Sequence, residues 1–279
     1  MDDLQKKKEA LYAYLKSLGK VAVAFSAGAD SAFLLYCASD ALGSENVIAL
    51  TGVSPSFPQR ERGQSSDFCS KLGVKQIMVN TDEMSVPQYV SNPPDRCYYC
   101  RRDMFTKFSE EAERRGFPFV AEGSNIDDLG DYRPGLRAVK ELGIKSPLRE
   151  AGLGKADIRE LSRLAGLPTW NKPSSACLAS RIEYGEKITA ERLERIDKAE
   201  QYLLSLGFVK VRVRTHGKVA RIEVDKSEIG KFFDASLMEQ VDKELKKLGF
   251  LHVALDLAGY SVGSMNATLK ESEKKAKAE

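Results

Sequence analysis

Residues 21–31 read VAVAFSAGADS, and no other stretch constrains the fold as much. Val21 to Phe25 are apolar, partly β-branched and uncharged, which predicts a buried parallel strand. Ala32, Phe33, Leu34 and Leu35 predict a helix that starts a few residues later. Ser26, Ala27, Gly28 and Ala29, between the two, carry almost no side-chain bulk. A strand that turns so tightly into a helix lets backbone N–H groups approach an anion, and the unpaired donors and dipole of a helix start favour negative charge. A phosphate suits such a place. The same six residues, SAGADS, also suit an ordinary strand-to-helix turn capped by Ser26 or Asp30.

Two common phosphate loops are absent. The chain has no Gly, four residues, then Gly-Lys-Ser/Thr, and no G-x-G-x-x-G. Around the loop the pattern repeats. Helices are predicted over about 4–19, 31–42, 58–72 and 98–115, with strands at 21–25, 46–51 and KQIMVN and another within FPFVAEGSN; residues 81–96 read as irregular. This alternation predicts an α/β fold with a doubly wound parallel sheet, whose ligands sit at the carboxyl ends of the strands. SAGADS, the turn from Thr51 to Ser54, and EGSNIDD (Glu122 to Asp128) would all emerge there.

From Gly185 the pattern changes to helix (about 189–206), two short strands (FVKVRVRT and KVARIEVD), helix (about 227–247) and strand (FLHVALDL). Residues 1–184 are therefore expected to form the first domain, and residues 185–279 a smaller α+β domain ending in a frayed tail from Lys270. Charge adds an exclusion. With 43 basic against 40 acidic residues, the net +3 is no nucleic-acid-binding footprint. No apolar run reaches membrane-spanning length and the charged N-terminus builds no signal peptide, so a cytoplasmic protein is expected.

Arg212 and Arg214 stand two apart in VRVR, so both project from one strand face while Val211 and Val213 turn to the core. Paired guanidinium groups call for an anion between them; a solvated strand face is the plainer alternative. Cys97 and Cys100, in RCYYCRR, have the spacing of a shared metal site or a redox dithiol, and flanking arginines favour thiolates. Zinc is short of ligands, because His216 and His252 are the only histidines and both lie in the second domain. Cys177, in SSACLASR, supplies a third thiol, and three cysteines on a four-iron cluster leave one iron open. Cys37 and Cys69 lie inside helical patterns and read as core residues. GYSVG (259–263) matches a nucleophile elbow, but no histidine follows Ser261, which excludes the serine hydrolase order.

SAGADS resembles the SGGxDS pyrophosphate loop of ATP pyrophosphatases, with Ala27 standing at that pattern's first glycine. A positive φ there would strain an alanine. Together with EGSNIDD, DYRPGLRAVKELGIKSPL (131–148), WNKPSSACLASRIEYGEKIT (170–189), VRVR and ARIEV, the loop makes nearly the whole chain similar to the LarE family of ATP-dependent sulfurtransferases. The resemblance implies an adenine nucleotide α-hydrolase-like fold. It implies ATP held by Ser26, Gly28, Asp30, Ser31, Gly123 and Asn125, with Mg2+ and Asp30 as one of its ligands. The substrate it implies is pyridinium-3,5-biscarboxylic acid mononucleotide, whose adenylated carboxylates become thiocarboxylates for the nickel-pincer nucleotide. Ser180, Arg181, Arg212, Arg214 and Glu223 are the residues expected to bind it, Glu223 through the sugar or a metal.

Two sulfur sources occur in the family, a sacrificial cysteine and a [4Fe-4S] cluster on three cysteines. Aligned on Ser180-Arg181, the sacrificial position holds Ala176 with Cys177 one residue on, so Cys97, Cys100 and Cys177 resemble the cluster-bearing type. Sulfide or a sulfur-donor protein would recharge the cluster, and the second domain would support a homo-oligomer. Rival readings are a tRNA thiolase, disfavoured by the small net charge, an amide-forming ligase, which leaves the cysteines without a role, and a cluster carrier, which leaves the loop without one.

Overall fold

The computed structural model describes residues 3–130, 132–173 and 176–261. The tail from Lys270, the end of GYSVG, Asp131, and Ser174 and Ser175 of the WNKPSS stretch lie outside the described residues. Two compact units separate. One runs to Glu83 and resumes at Cys97; the other is built from Met84–Arg96 and the chain from Ala176.

In chain order the elements are helix α1 (Asp3–Leu18), strand β1 (Val21–Ala24), α2 (Ala29–Leu42), β2 (Val47–Val53), α3 (Gln59–Leu72) and β3 (Lys75–Asn80). A one-turn helix α4 (Pro87–Val90) follows, then α5 (Arg96–Arg114), β4 (Phe119–Ala121), α6 (Gly135–Glu141), α7 (Pro147–Glu150) and α8 (Lys155–Leu164). The chain continues with α9 (Ala190–Ser205), β5 (Val211–His216), β6 (Val219–Val224), α10 (Ala235–Lys247) and β7 (His252–Leu255).

The sheet of the first unit has the order β3-β2-β1-β4 and is parallel throughout. The period-two strand pattern decides its layers. Val21, Val23 and Phe25 turn to one face, where Leu11, Leu15, Leu34, Ile158 and Leu161 from α1, α2 and α8 cover them. Ala22, Ile48, Leu50 and Val120 turn to the other, against Phe105 and Phe108 of α5 and Val139 of α6. Each such side chain contributes roughly 1.5–3 kcal/mol on burial. The doubly wound α/β class expected from the alternation is what forms. Winding runs outward from β1 to β3 and then returns to β4 on the other side of β1, so the order reverses between β1 and β4. The loops after these two strands meet at that reversal.

In the second unit β5 and β6 pair antiparallel and β7 joins β6 in parallel, giving a small mixed sheet. Its core gathers Leu203, Phe208, Val213, Ile222, Val241 and Phe250, with Phe208 stacked on Phe232 at 5.0 Å. Some boundaries differ from expectation. The single helix expected over 227–247 divides into a 3-10 segment, Lys226–Phe233, and α10, because the Asp234 side chain accepts from the Ser236 and Leu237 N–H groups and starts a new helix. The segment 81–96 is not wholly irregular, since Pro87 opens α4. Helices α6, α7 and α8 fall in a region left unassigned above. Among the described residues no helix is long and apolar enough to cross a membrane.

Candidate functional site

The turn after β1 is held from both sides. The Phe25 N–H donates to the Leu50 carbonyl at 2.8 Å, and the Phe25 carbonyl accepts from Thr51 Oγ1 at 2.9 Å. Within the loop the Ser31 hydroxyl lies 3.2 Å from that of Ser26, donates to the Gly28 carbonyl and accepts from the Ser26 N–H. Gly28 is the N-cap of α2 and no side chain among the described residues caps it. Neither Ser26 nor Asp30 does so, which removes the ordinary capped turn as a reading and leaves the first N–H groups of α2 for something else.

Ala27 has φ 57, the left-handed conformation. Among the described residues only Asn92, at φ 54, shares this without being glycine, and asparagine tolerates it. For alanine it costs roughly 1–2 kcal/mol. The Lys172 ammonium offsets that cost, because it donates to the Ala27 carbonyl at 2.9 Å, and a hydrogen bond from a charged group contributes about 1.5–3 kcal/mol. Lys172 also reaches Glu61 Oε2 at 2.5 Å and Gln64 Oε1 at 2.7 Å, so its three donors have three acceptors.

The loop after β4 comes against this turn. A Cβ at Gly123 would lie 3.0 Å from the Ser31 nitrogen and 3.2 Å from the Asp30 carbonyl carbon, so any side chain there would press the two backbones apart. Beyond it Glu122 is buried and accepts from Ser124 Oγ at 2.6 Å and Ser146 Oγ at 2.7 Å. Asn125 is fully buried; its N–H donates to Asp128 Oδ2, its Oδ1 accepts from the Asp127 N–H, and its Nδ2 has no hydrogen-bond partner among the described residues. Asp128 pairs with Arg133 at 3.0 Å and Lys155 at 3.5 Å. Asp30 is half-buried beside this group. Burial pushes its carboxyl above the ordinary range, the Asp128 carboxylate adds to the push, and Lys155, Arg133 and Arg159 pull against it. A site with these properties favours a bound cation next to Asp30 and an anion at the α2 start.

In the second unit Arg212 and Arg214 are both buried, which excludes the solvated strand face. Arg214 Nε bonds Glu223 Oε1 at 2.5 Å and its Nη1 donates to the Ser180 carbonyl at 2.8 Å. Arg212 donates to the Val211 carbonyl and lies over the Tyr260 ring. Arg214 therefore already has one of the protein's own carboxylates as its anion. Arg181 is wholly buried. It grips Glu200 through Nε and Nη2, and its Nη1 donates to the carbonyls of Ala176 and Cys177 and to Ser180 Oγ. Cys177 caps the short 3-10 segment Leu178–Arg181 and is exposed.

No family model matches the chain. It is 42% identical over 267 residues to an uncharacterised protein of Synechocystis sp., covering 95% of this chain and 99% of that one. It is 38% identical over 273 residues to the pyridinium-3,5-bisthiocarboxylic acid mononucleotide synthase of Lactiplantibacillus plantarum, with 98% of each chain covered. An uncharacterised protein of Methanocaldococcus jannaschii is 28% identical over 241 residues, 86% of this chain. The chain belongs to the LarE family.

In this LarE-family enzyme Ser26, Gly28, Asp30, Ser31, Gly123 and Asn125 fall in the first unit, where Gly123 meets Asp30 and Ser31 directly. Ser180, Arg181, Arg214 and Glu223 form one connected network in the second, where Arg212 donates to the Val211 carbonyl. Cys97 and Cys100 lie three apart on the first turns of α5 in the first unit, Cys97 exposed and Cys100 half-buried, while Cys177 belongs to the second. Among the described residues no three His, Cys, Asp or Glu side chains gather as a metal site. Cys37 and Cys69 are buried, as their helical positions predict. Sequence reasoning passed over Lys172, Glu61 and Glu200. Lys172 stands in the WNKPSS stretch, but nothing local says that its partners lie 145 and 111 residues away.

Proposed function

We propose that this enzyme uses ATP to activate the carboxylates of pyridinium-3,5-biscarboxylic acid mononucleotide and replaces an oxygen of each with sulfur. The observation that carries the nucleotide half is the uncapped α2 start, reached through the left-handed Ala27 and closed on by the Gly123 backbone. A triphosphate bound there would meet the orphan N–H groups, with Asp30 as a ligand of Mg2+, which supplies charge neutralisation on the phosphates. A substrate carboxylate oxygen then attacks the α-phosphorus and pyrophosphate leaves. Membership of the LarE family and the name of the L. plantarum relative support the substrate.

The second unit suits a mononucleotide. Arg212, Arg214 and Glu223 would receive its anionic and sugar groups, with Ser180 beside them, while Arg181 holds the Cys177 backbone from beneath. Thiols are the right donors for iron, and Cys97, Cys100 and Cys177 would hold a [4Fe-4S] cluster. Bound there, the cluster would supply an iron without a protein thiolate for the activation of hydrosulfide from sulfide or a donor protein. The sulfur attacks the acyl carbon and AMP departs. Homo-oligomerisation through the second unit belongs to the same reading.

Anaerobic purification followed by reaction with ATP, the mononucleotide and sulfide tests it. The expected result is iron in the protein, pyrophosphate and AMP release, and a product heavier by the exchange of oxygen for sulfur. Iron-free active enzyme with dehydroalanine at position 177 would overturn the cluster, and no pyrophosphate release would overturn the activation step.

A further inference from the structure

We propose that Lys172 is a positioning residue of the phosphate loop, one that holds the Ala27 peptide so that the loop is shaped for a nucleoside triphosphate before it arrives. This rests on the nucleotide reading of the loop given above. A lysine near a phosphate site is commonly expected to touch the phosphate. Here its three donors are taken by the Ala27 carbonyl, Glu61 and Gln64, all within 2.9 Å. The ammonium acts on the loop instead. Because a trans peptide is planar with its C=O and N–H on opposite sides, capture of the Ala27 carbonyl turns the Gly28 N–H away from Lys172. That N–H joins the orphan donors at the start of α2, the concave arrangement that receives anions.

The left-handed Ala27 makes this latch necessary. Left to itself, an alanine at that position relaxes to negative φ and the peptide turns over, whereas a glycine populates both signs about equally. Glu61, buried at the start of α3, fixes the ammonium, and Gln64 one turn later completes its shell. The loop, α3 and the Lys172 segment thus meet at one cation.

Titration of the full-length protein with MgATP and with adenosine, which has no phosphate, tests the proposal in a mutant cycle. Lys172→Met should weaken MgATP about 10-fold or more while adenosine binding stays within about 2-fold. Ala27→Gly alone should change MgATP affinity little. Added to Lys172→Met it should bring MgATP back to within about 3-fold of the parent, since glycine adopts positive φ without the penalty that alanine carries. A double variant as weak as Lys172→Met would mean that the lysine touches the nucleotide, and would overturn the proposal. So would undiminished MgATP binding by Lys172→Met. Because Lys172→Met takes one cation from the Glu61 carboxylate, which keeps Arg60 at 3.6 Å, the cycle is repeated in Glu61→Gln, where the same rescue is expected and its absence counts against the latch. No MgATP binding by the unsubstituted protein would remove the nucleotide reading together with the proposal.

Discussion

Arg181 and Glu200 face each other through two hydrogen bonds of 2.8 and 2.9 Å, and both side chains are shut off from solvent. The carboxylate also accepts from the Val213 N–H at 3.1 Å, so the pair ties α9 to β5 and, through Arg181, to the Cys177 backbone. A buried pair of this kind is weak as a source of net stability, but removing one partner leaves a stranded charge.

Glu200→Ala should therefore destabilise the second unit by about 3–5 kcal/mol, seen as a shifted chemical-denaturation midpoint. Burial alone would raise the Glu200 pKa, but Arg181 outweighs it, with Arg212 and the Val213 N–H helping, and holds the carboxyl below its ordinary 4.5. A depressed folded pKa contributes stability above 4.5 that is lost as pH falls through the folded value. The stability gap between parent and variant should narrow in acid, and a gap independent of pH would contradict the pairing.

Asp30 has the opposite sign. Its folded pKa lies above the ordinary 3.8, so its contribution is fully present below 3.8 and is lost as pH rises through the folded value. Asp30→Asn should raise the melting temperature at neutral pH, with less effect near the ordinary carboxyl value, and should reduce substrate-dependent pyrophosphate release to background. A neutral-pH variant that melts lower than the parent would refute the buried-carboxylate account.

Gly123→Ala tests the closeness of the two loops. Its Cβ would press on the Ser31 nitrogen at 3.0 Å, against backbone that cannot swing aside as a flexible side chain can. About 1–3 kcal/mol of stability should be lost, and MgATP affinity with it. Calorimetric melting and nucleotide titration of one preparation measure both, and unchanged affinity would separate the loops functionally.

Alkylation sorts the cysteines. Burial pushes the Cys37 and Cys69 thiols up to about 12, so neither forms a thiolate at pH 8, while Cys97 and Cys177 are exposed and Cys100 half-buried. Brief iodoacetamide treatment of iron-free folded protein should label the latter three alone, and iron reconstitution should protect them. Labelling of Cys37 without denaturant would show that the core opens. Cys37→Ala and Cys69→Ala should keep both iron and activity.

Elements with strong local signals were legible. The VAVAF run, glycines after helices, and alternating apolar runs reproduced β1, β3 and most helix limits within a few residues, because buried strands and amphipathic helices write their periods directly into the chain. Helices α6 to α8 were not read, being short or embedded in turn-rich sequence. Asp234 was hidden as a helix start inside a charged run that reads as one helix.

The candidate site divides in the same way. By itself, the sequence determined the strand, the small-residue loop and the helix after it, the paired arginines and the spacing of Cys97 and Cys100, since each depends on neighbours in the chain. Only the tertiary structure decided that Ala27 is left-handed with Lys172 on its carbonyl, that Gly123 lies against Ser31, and that Arg181 is matched by Glu200. Those relationships arise between residues far apart in sequence, where a buried charge or a strained peptide must find a partner supplied by the fold.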